Sequence, residues 1–125
     1  MLRRLIPVTM LCLFLFPTHA LAFDSQVEQW RPIVRQELTE HNVYSEFWED
    51  KALSIMQRES GGFAGIRSRS GCVGLFQYTA SWSRSARRKG LPDWRTDGPT
   101  SIHVFARTLQ QGGAKSVKRH WRATW

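Results

Sequence analysis

Glycine and proline recur along this chain at intervals that leave room only for short elements. Gly61-Gly62, Gly90 and Gly112-Gly113 act as stops, and Pro32 and Pro99 fall where a helix restarts or begins. Between these breaks the apolar residues recur every three or four positions. Val27, Trp30, Val34 and Leu38 form one series. Trp48, Ala52, Ile55 and Met56 form a second, and Ile102, Phe105, Ala106 and Leu109 a third. Ser45 is the expected N-cap of the second helix, with Glu46, Glu49 and Asp50 loading its first turns. That helix is expected to end near Glu59-Ser60, and residues 61–73 read as a loop rich in Gly, Ser and Arg. A further helix is expected from Thr79 to Lys89, a loop from Leu91 to Gly98, and a last short helix from Ala114 towards Trp121. No stretch alternates long enough to predict a strand. The expectation is a mainly α domain of about five short helices.

The first 22 residues stand apart from that pattern. Met1-Leu2-Arg3-Arg4 is a basic start, Leu5 to Phe16 is largely apolar, and Ala20-Leu21-Ala22 is a small-residue cleavage site. This order of parts predicts a secretory signal peptide over 1–22. The apolar run falls short of the about 20 residues that span a bilayer. The expected product is therefore one exported domain over 23–125, periplasmic or extracellular, with no stable membrane anchor. Of 18 Lys and Arg against 10 Asp and Glu, Arg3 and Arg4 leave with the leader, so the mature net charge is +6. Such a surface attracts anionic envelope polymers without specificity. Export argues against a nucleic-acid partner, and Arg87-Arg88-Lys89 before Gly90 reads as helix C-terminus chemistry. Cys72 is the one mature cysteine, so no internal disulfide is available and packing must hold the domain together. All six Trp lie in the mature part, and a monomer is expected.

One acid stands out by position. Glu59 continues the apolar face of the 45–60 helix, while Glu46, Glu49 and Asp50 cluster at the other end. Partial removal from water disfavours the charged form, raises the pKa and yields a carboxyl suited to general-acid work. The competing reading is an ion pair with Arg58, Arg67 or Arg69 at a helix end. Position alone leaves both open.

The residues that follow carry a resemblance. Glu59-Ser60-Gly61-Gly62, then Ser68-Arg69-Ser70-Gly71-Cys72-Val73-Gly74-Leu75-Phe76-Gln77, is similar to the paired motifs of the soluble lytic transglycosylase family of the lysozyme-like superfamily. Trp82 and Ala86, and beyond them Asp97, Ile102 and Ala106, extend the likeness over roughly residues 45–121. The resemblance implies a small lysozyme-like domain with a Gly/Ser-rich loop between the catalytic helix and the next. It implies cleavage of the β-1,4 bond between N-acetylmuramic acid and N-acetylglucosamine in peptidoglycan glycan strands. Ordinary glycosidases use two carboxylates. Here Asp93 and Asp97 lie far along the chain, and Asp97 suits a cap for the helix at Pro99. The family's counterpart of Glu59 acts alone, as acid and then as base, and the sugar's own C6 hydroxyl closes a 1,6-anhydro ring.

The same resemblance offers Ser60, Gly74, Phe76, Gln77 and Trp82 as substrate-binding positions. Each has a plainer alternative: Ser60 ends a helix, Gly74 makes a loop, Gln77 satisfies loop backbone, and Phe76 and Trp82 are core. Cys72 is expected to be buried and inert. His41, His103 and His120 are spread out without ligand spacing, so no metal is expected, and no cofactor is implied. The chain closes on Trp121-Arg122-Ala123-Thr124-Trp125 and lacks the Tyr-Asn-x-Gly stretch many family members carry. A hydrolytic muramidase on the same site is therefore the alternative, and a non-catalytic wall-binding or assembly module is the alternative of a different class.

Overall fold

A computed structural model describes residues 23–125, so the predicted signal peptide lies outside the described residues. The chain is mainly helical. Helices α1 (Ser25–Glu28) and α2 (Arg31–Glu40) are followed by α3 (Glu46–Glu59). A long irregular segment then leads to a 3₁₀ turn (Ala80–Ser83), α4 (Arg84–Arg88), a second 3₁₀ turn (Trp94–Thr96), α5 (Gly98–His120) and a final 3₁₀ turn (Arg122–Thr124). Among the described residues β structure is confined to isolated bridges, Arg67 with Val73 and Val73 with Tyr78. No helix among them is long and apolar enough to cross a membrane.

Local chemistry accounts for the boundaries. Ser45 accepts a hydrogen bond from the Trp48 N–H and opens α3, as its position predicts. Asp97 likewise accepts from the Thr100 N–H and opens α5. Pro32 sits in the first turn of α2, where its missing N–H costs nothing, so the chain restarts there after the single turn of α1. Gly113 holds a left-handed φ of 66° and breaks α5 (Gly98–His120), separating the expected last helix from the one before it. The segment expected as one helix from Thr79 to Lys89 is instead a 3₁₀ turn and five α-helical residues. Side chains take up the Ala80 carbonyl at its start: Ser83 Oγ donates to it at 3.5 Å and the Arg87 guanidinium at 2.8 Å.

The core forms where α2, α3 and α5 meet. Val34 and Leu38 from α2 pack with Ala52, Leu53, Ile55 and Met56 of α3 and Ile102, Phe105, Ala106 and Leu109 of α5, all buried. Each fully buried aliphatic of this size contributes about 1.5–3 kcal/mol. The irregular segment adds Leu75, Phe76 and Tyr78, and the Phe76 ring stacks on Phe105 with centroids 4.9 Å apart.

One charge assignment changes. Glu59 reads from the sequence as the carboxylate continuing the apolar face, yet Glu49, expected in the charged first turns, is the more deeply buried at 3 % exposure. Arg35 Nε donates to Glu49 at 2.6 Å and Arg31 reaches it at 2.7 Å from α2. Spacing along α3 alone could not reveal this, because the partners come from another helix. The Arg35 bond, helped by Arg31, holds the Glu49 carboxyl below its ordinary pKa against the opposing effect of burial.

A lowered folded-state pKa contributes stability that is present above the unfolded value and lost as pH falls through the folded one. Glu49→Gln is therefore expected to cost about 2 kcal/mol at pH 7 in urea unfolding, below the value of a fully enclosed pair because Arg35 is exposed. The difference between the two proteins should shrink as pH falls through the carboxylate range.

Candidate active site

Glu59 is the last residue of α3, and the turn after it is tightly built. Both Ser60 and Gly61 donate their backbone N–H to the Met56 carbonyl, and Ser60 Oγ donates to the same oxygen while accepting from the Gly62 N–H. Trp30 Nε1 donates to the Gly62 carbonyl at 2.9 Å, tying this helix end to the start of α2. Ser60 is thus buried and fully engaged in ending the helix.

The Gly-Leu-Phe-Gln tetrapeptide is itself a turn. Val73 and Tyr78 exchange both backbone hydrogen bonds across it, and the Gln77 N–H closes it onto the Gly74 carbonyl. Gly74 has a φ of 88°, and a Cβ there would stand 1.9 Å from the Arg95 carbonyl oxygen. Glycine is required by that close approach of chain to chain, so Gly74 serves packing and does not face the cleft. Between the two turning residues, Leu75 and Phe76 drop into the core. Gln77 takes a φ of 52°, and its Nε2 donates to the carbonyls of Ile66 and Gly74.

Arg95 secures this loop from below. Its side chain is buried, pairs with Asp93 at 2.7 Å, and donates through one nitrogen to the carbonyls of both Gly71 and Tyr78 at 3.0 Å. Arg95 in turn holds the Asp93 carboxyl well below its ordinary range. Tyr78 Oη donates to the Ser101 carbonyl, joining the loop to α5.

Above this platform a cleft of about 370 Å³ opens beside Glu59. Ser68, Ser70 and Cys72 line one part, Gln77 and Thr79 another, and His120 and Trp121 from the end of the chain close it. A smaller adjoining hollow of about 80 Å³ shares several of these residues and adds Trp82. Trp121 Nε1 donates to the Phe76 carbonyl at 3.0 Å, fixing that wall to the tetrapeptide turn. The Trp82 and His120 rings meet edge to face at 4.8 Å.

Glu59 is half-buried in this setting, and burial raises its pKa, with the Arg58 charge opposing weakly. Ion pairs to Arg58, Arg67 or Arg69, the competing expectation, are not formed among the described residues. His120 is pushed the other way: burial, with help from Arg119, lowers its pKa and favours the neutral ring. No second carboxylate joins Glu59 in the cleft lining.

The predicted positions therefore divide. Glu59 and Gln77 face the same cleft, and Trp82 stands at its adjoining hollow. Phe76 is wholly buried, a floor beneath the cleft and a core residue. Ser60 and Gly74 are absent from the lining and act in the backbone turns that shape it. Cys72 is half-exposed on the cleft wall, against the expectation of burial, because the Ser68–Cys72 turn carries it to the rim. Ser68, Ser70, Thr79, His120 and Trp121 were not foreseen as lining. No family model matches the chain, and no curated protein matches it. What the cleft can do follows from its own groups: an acid whose neutral form burial favours, hydroxyls and an amide to orient a polar ligand, and an indole to pack against it.

Elsewhere the fold brings together two of the histidines that the sequence leaves scattered. His41 ends α2 and His103 lies on α5, yet their rings meet at 5.0 Å beside Glu37.

A raised folded-state pKa means that the bound proton stabilises the fold fully below the unfolded value, an advantage lost as pH rises through the folded value. Glu59→Gln, which is always neutral, should accordingly melt at a higher temperature than the unaltered chain at pH 7. The difference should vanish near pH 4. A variant that melts lower at pH 7 would contradict the desolvation of Glu59.

Proposed function

We propose that the chain is a lysozyme-like lytic transglycosylase that cleaves peptidoglycan glycan strands between N-acetylmuramic acid and N-acetylglucosamine. One observation carries this reading: a single half-buried, unpaired carboxyl facing a cleft lined by hydroxyls, an amide and an indole. The resemblance of the Glu-Ser-Gly-Gly and Gly-Leu-Phe-Gln segments supports it.

The chemistry follows from one group. Glu59, still protonated, gives its proton to the glycosidic oxygen, and that oxygen leaves with the bond pair as the N-acetylglucosamine hydroxyl. Glu59, now a carboxylate, takes the proton of the muramyl C6 hydroxyl, and the freed oxygen bonds to C1. The product is a 1,6-anhydro sugar and no water is consumed. Intramolecular attack gives this closure a large entropic advantage over capture of water. Desolvation serves both steps, since it keeps the proton on Glu59 before cleavage and makes the carboxylate a stronger base afterwards. Gln77 Nε2 is committed to loop carbonyls, whereas its Oε1 accepts no hydrogen bond among the described residues and can receive a sugar N–H or O–H. The reading places the protein outside the inner membrane, as a monomer whose basic surface favours anionic envelope polymers.

A hydrolytic outcome on the same site has one observation in its favour. Burial favours the neutral ring of His120 in the same cleft, and a neutral imidazole is able to take a proton from a water. Mass spectrometry of digested peptidoglycan separates the two, because anhydro products are lighter by one water and reducing ends are not. Anhydromuropeptides are expected. Glu59→Gln should lower the rate about 10²- to 10⁴-fold while wall binding persists. Unchanged cleavage by that variant overturns the role of Glu59. Wall binding with no cleavage by either protein would identify a binding or assembly module.

The pH dependence gives a separate check. The acid must be protonated to start the reaction, so the basic limb of the pH–rate profile is expected well above about 4.3, the ordinary Glu value. A limb at that value would contradict the assignment.

A further inference from the structure

We propose that Glu37, His41 and His103 form a binding site for a late first-row divalent metal ion, with Zn²⁺ the ion their donor set fits. The site lies on the α2–α5 face, and nothing in it depends on the glycan-cleaving reading. One ligand atom from each residue lies within 4.8 Å of the other two. Two edges of the triangle are better defined. Glu37 Oε2 is 3.0 Å from His103 Nδ1 and 3.6 Å from His41 Nδ1. A tetrahedral zinc site with bonds of ~2.0 Å has ligand–ligand edges of roughly 3.3 Å, so these distances bracket the required geometry.

The surroundings suit a cation. All three residues sit at or opposite the C-terminal end of α2, where the helix carries partial negative charge. The last turn of α2 contains no basic residue, whereas α3, α4 and α5 each carry at least one there. Glu37 and His41 are largely covered, and His103 is 47 % exposed, which leaves the outer coordination position open to water. Gln110 Nε2 donates to the His41 carbonyl at 3.0 Å and steadies the backbone of that ligand from α5.

Binding needs a change of tautomer and a small turn of the His41 ring. His41 Nδ1 lies 2.8 Å from the Glu37 carbonyl oxygen, which it reaches as a donor, and His103 Nδ1 bears the same relation to the Glu37 carboxylate. With each Nδ1–H bond exchanged through solvent for an Nε2–H bond, and the His41 ring turned off the Glu37 carbonyl, both Nδ1 lone pairs become available beside Oε2. Two imidazoles and one carboxylate favour Zn²⁺, Cu²⁺ or Ni²⁺ over Ca²⁺ and Mg²⁺, which prefer all-oxygen shells. The bound ion would join α2 to α5, the two helices that pack on either side of the core, and would stabilise the folded chain by mass action.

The test is thermal unfolding and native mass spectrometry of the full chain, prepared without a polyhistidine tag, with ZnCl₂ or CaCl₂ added. Zinc is expected to bind one per chain and raise the melting temperature by several degrees, with calcium inert. His103→Ala removes an exposed ring and should leave the metal-free melting temperature nearly unchanged while abolishing the zinc increment. Glu37→Gln should reduce the increment through loss of the anionic ligand. No zinc increment in the unaltered chain overturns the site. An increment that survives both substitutions does so as well, because zinc would then be held elsewhere, for instance by Cys72 or His120.

Discussion

A buried guanidinium holds the candidate cleft in shape. Arg95 satisfies the carbonyls of Gly71 and Tyr78 at either side of the tetrapeptide turn, and its charge is balanced by Asp93 two residues before it. Its own carbonyl accepts from Ser101 Oγ and presses against Gly74. Removing a buried charge's partner is far costlier than the pair's net contribution, so this arrangement is all or nothing. The loop has almost no regular secondary structure, and its backbone groups would otherwise lack partners away from water. Arg95 and the Val73–Tyr78 bridge supply them, and Leu75 and Phe76 can then enter the core beneath Glu59.

Glu49 and Glu59 make an instructive pair, because they share one helix and differ in everything else. Glu49 is almost fully covered but receives hydrogen bonds from Arg35 and Arg31, so its charged form is favoured. Glu59 leaves more of its surface exposed but has no cation bonded to it among the described residues, so its neutral form is favoured. Depth of burial alone would rank them the wrong way for acid chemistry. The partners decide the outcome: α2 supplies them to Glu49, and none of the described residues supplies one to Glu59.

Much of the helical framework was legible in the sequence because its signals are local. Ser45, Asp97, Pro32 and Gly113 each act within a turn of their own position, and the apolar series on α2, α3 and α5 follow a period that survives packing. Glu59 was singled out on the same basis. The rest of the cleft was not legible. His120 and Trp121 reach it from the end of the chain, and no spacing pattern links them to Glu59. Nothing local to Arg95 in the sequence marks it for burial, which follows only from the loop carbonyls that it bonds. Glu37 and His41 lie one helical turn apart, but His103 joins them only through the packing of α5 on α2. The opening of Thr79–Lys89 as a 3₁₀ turn, with Ser83 Oγ and Arg87 both donating to the Ala80 carbonyl, rests on side-chain bonds that apolar periodicity does not register.

The bond from the Trp121 indole to the Phe76 carbonyl bears on the order in which the protein matures. Synthesis delivers α3 and the turn long before the closing residues, and contacts so distant along the chain are slow to form. Until the indole docks, the cleft beside Glu59 lacks the wall that His120 and Trp121 supply. The shape of the cleft is thus a tertiary property, absent from α3 and its turn taken alone.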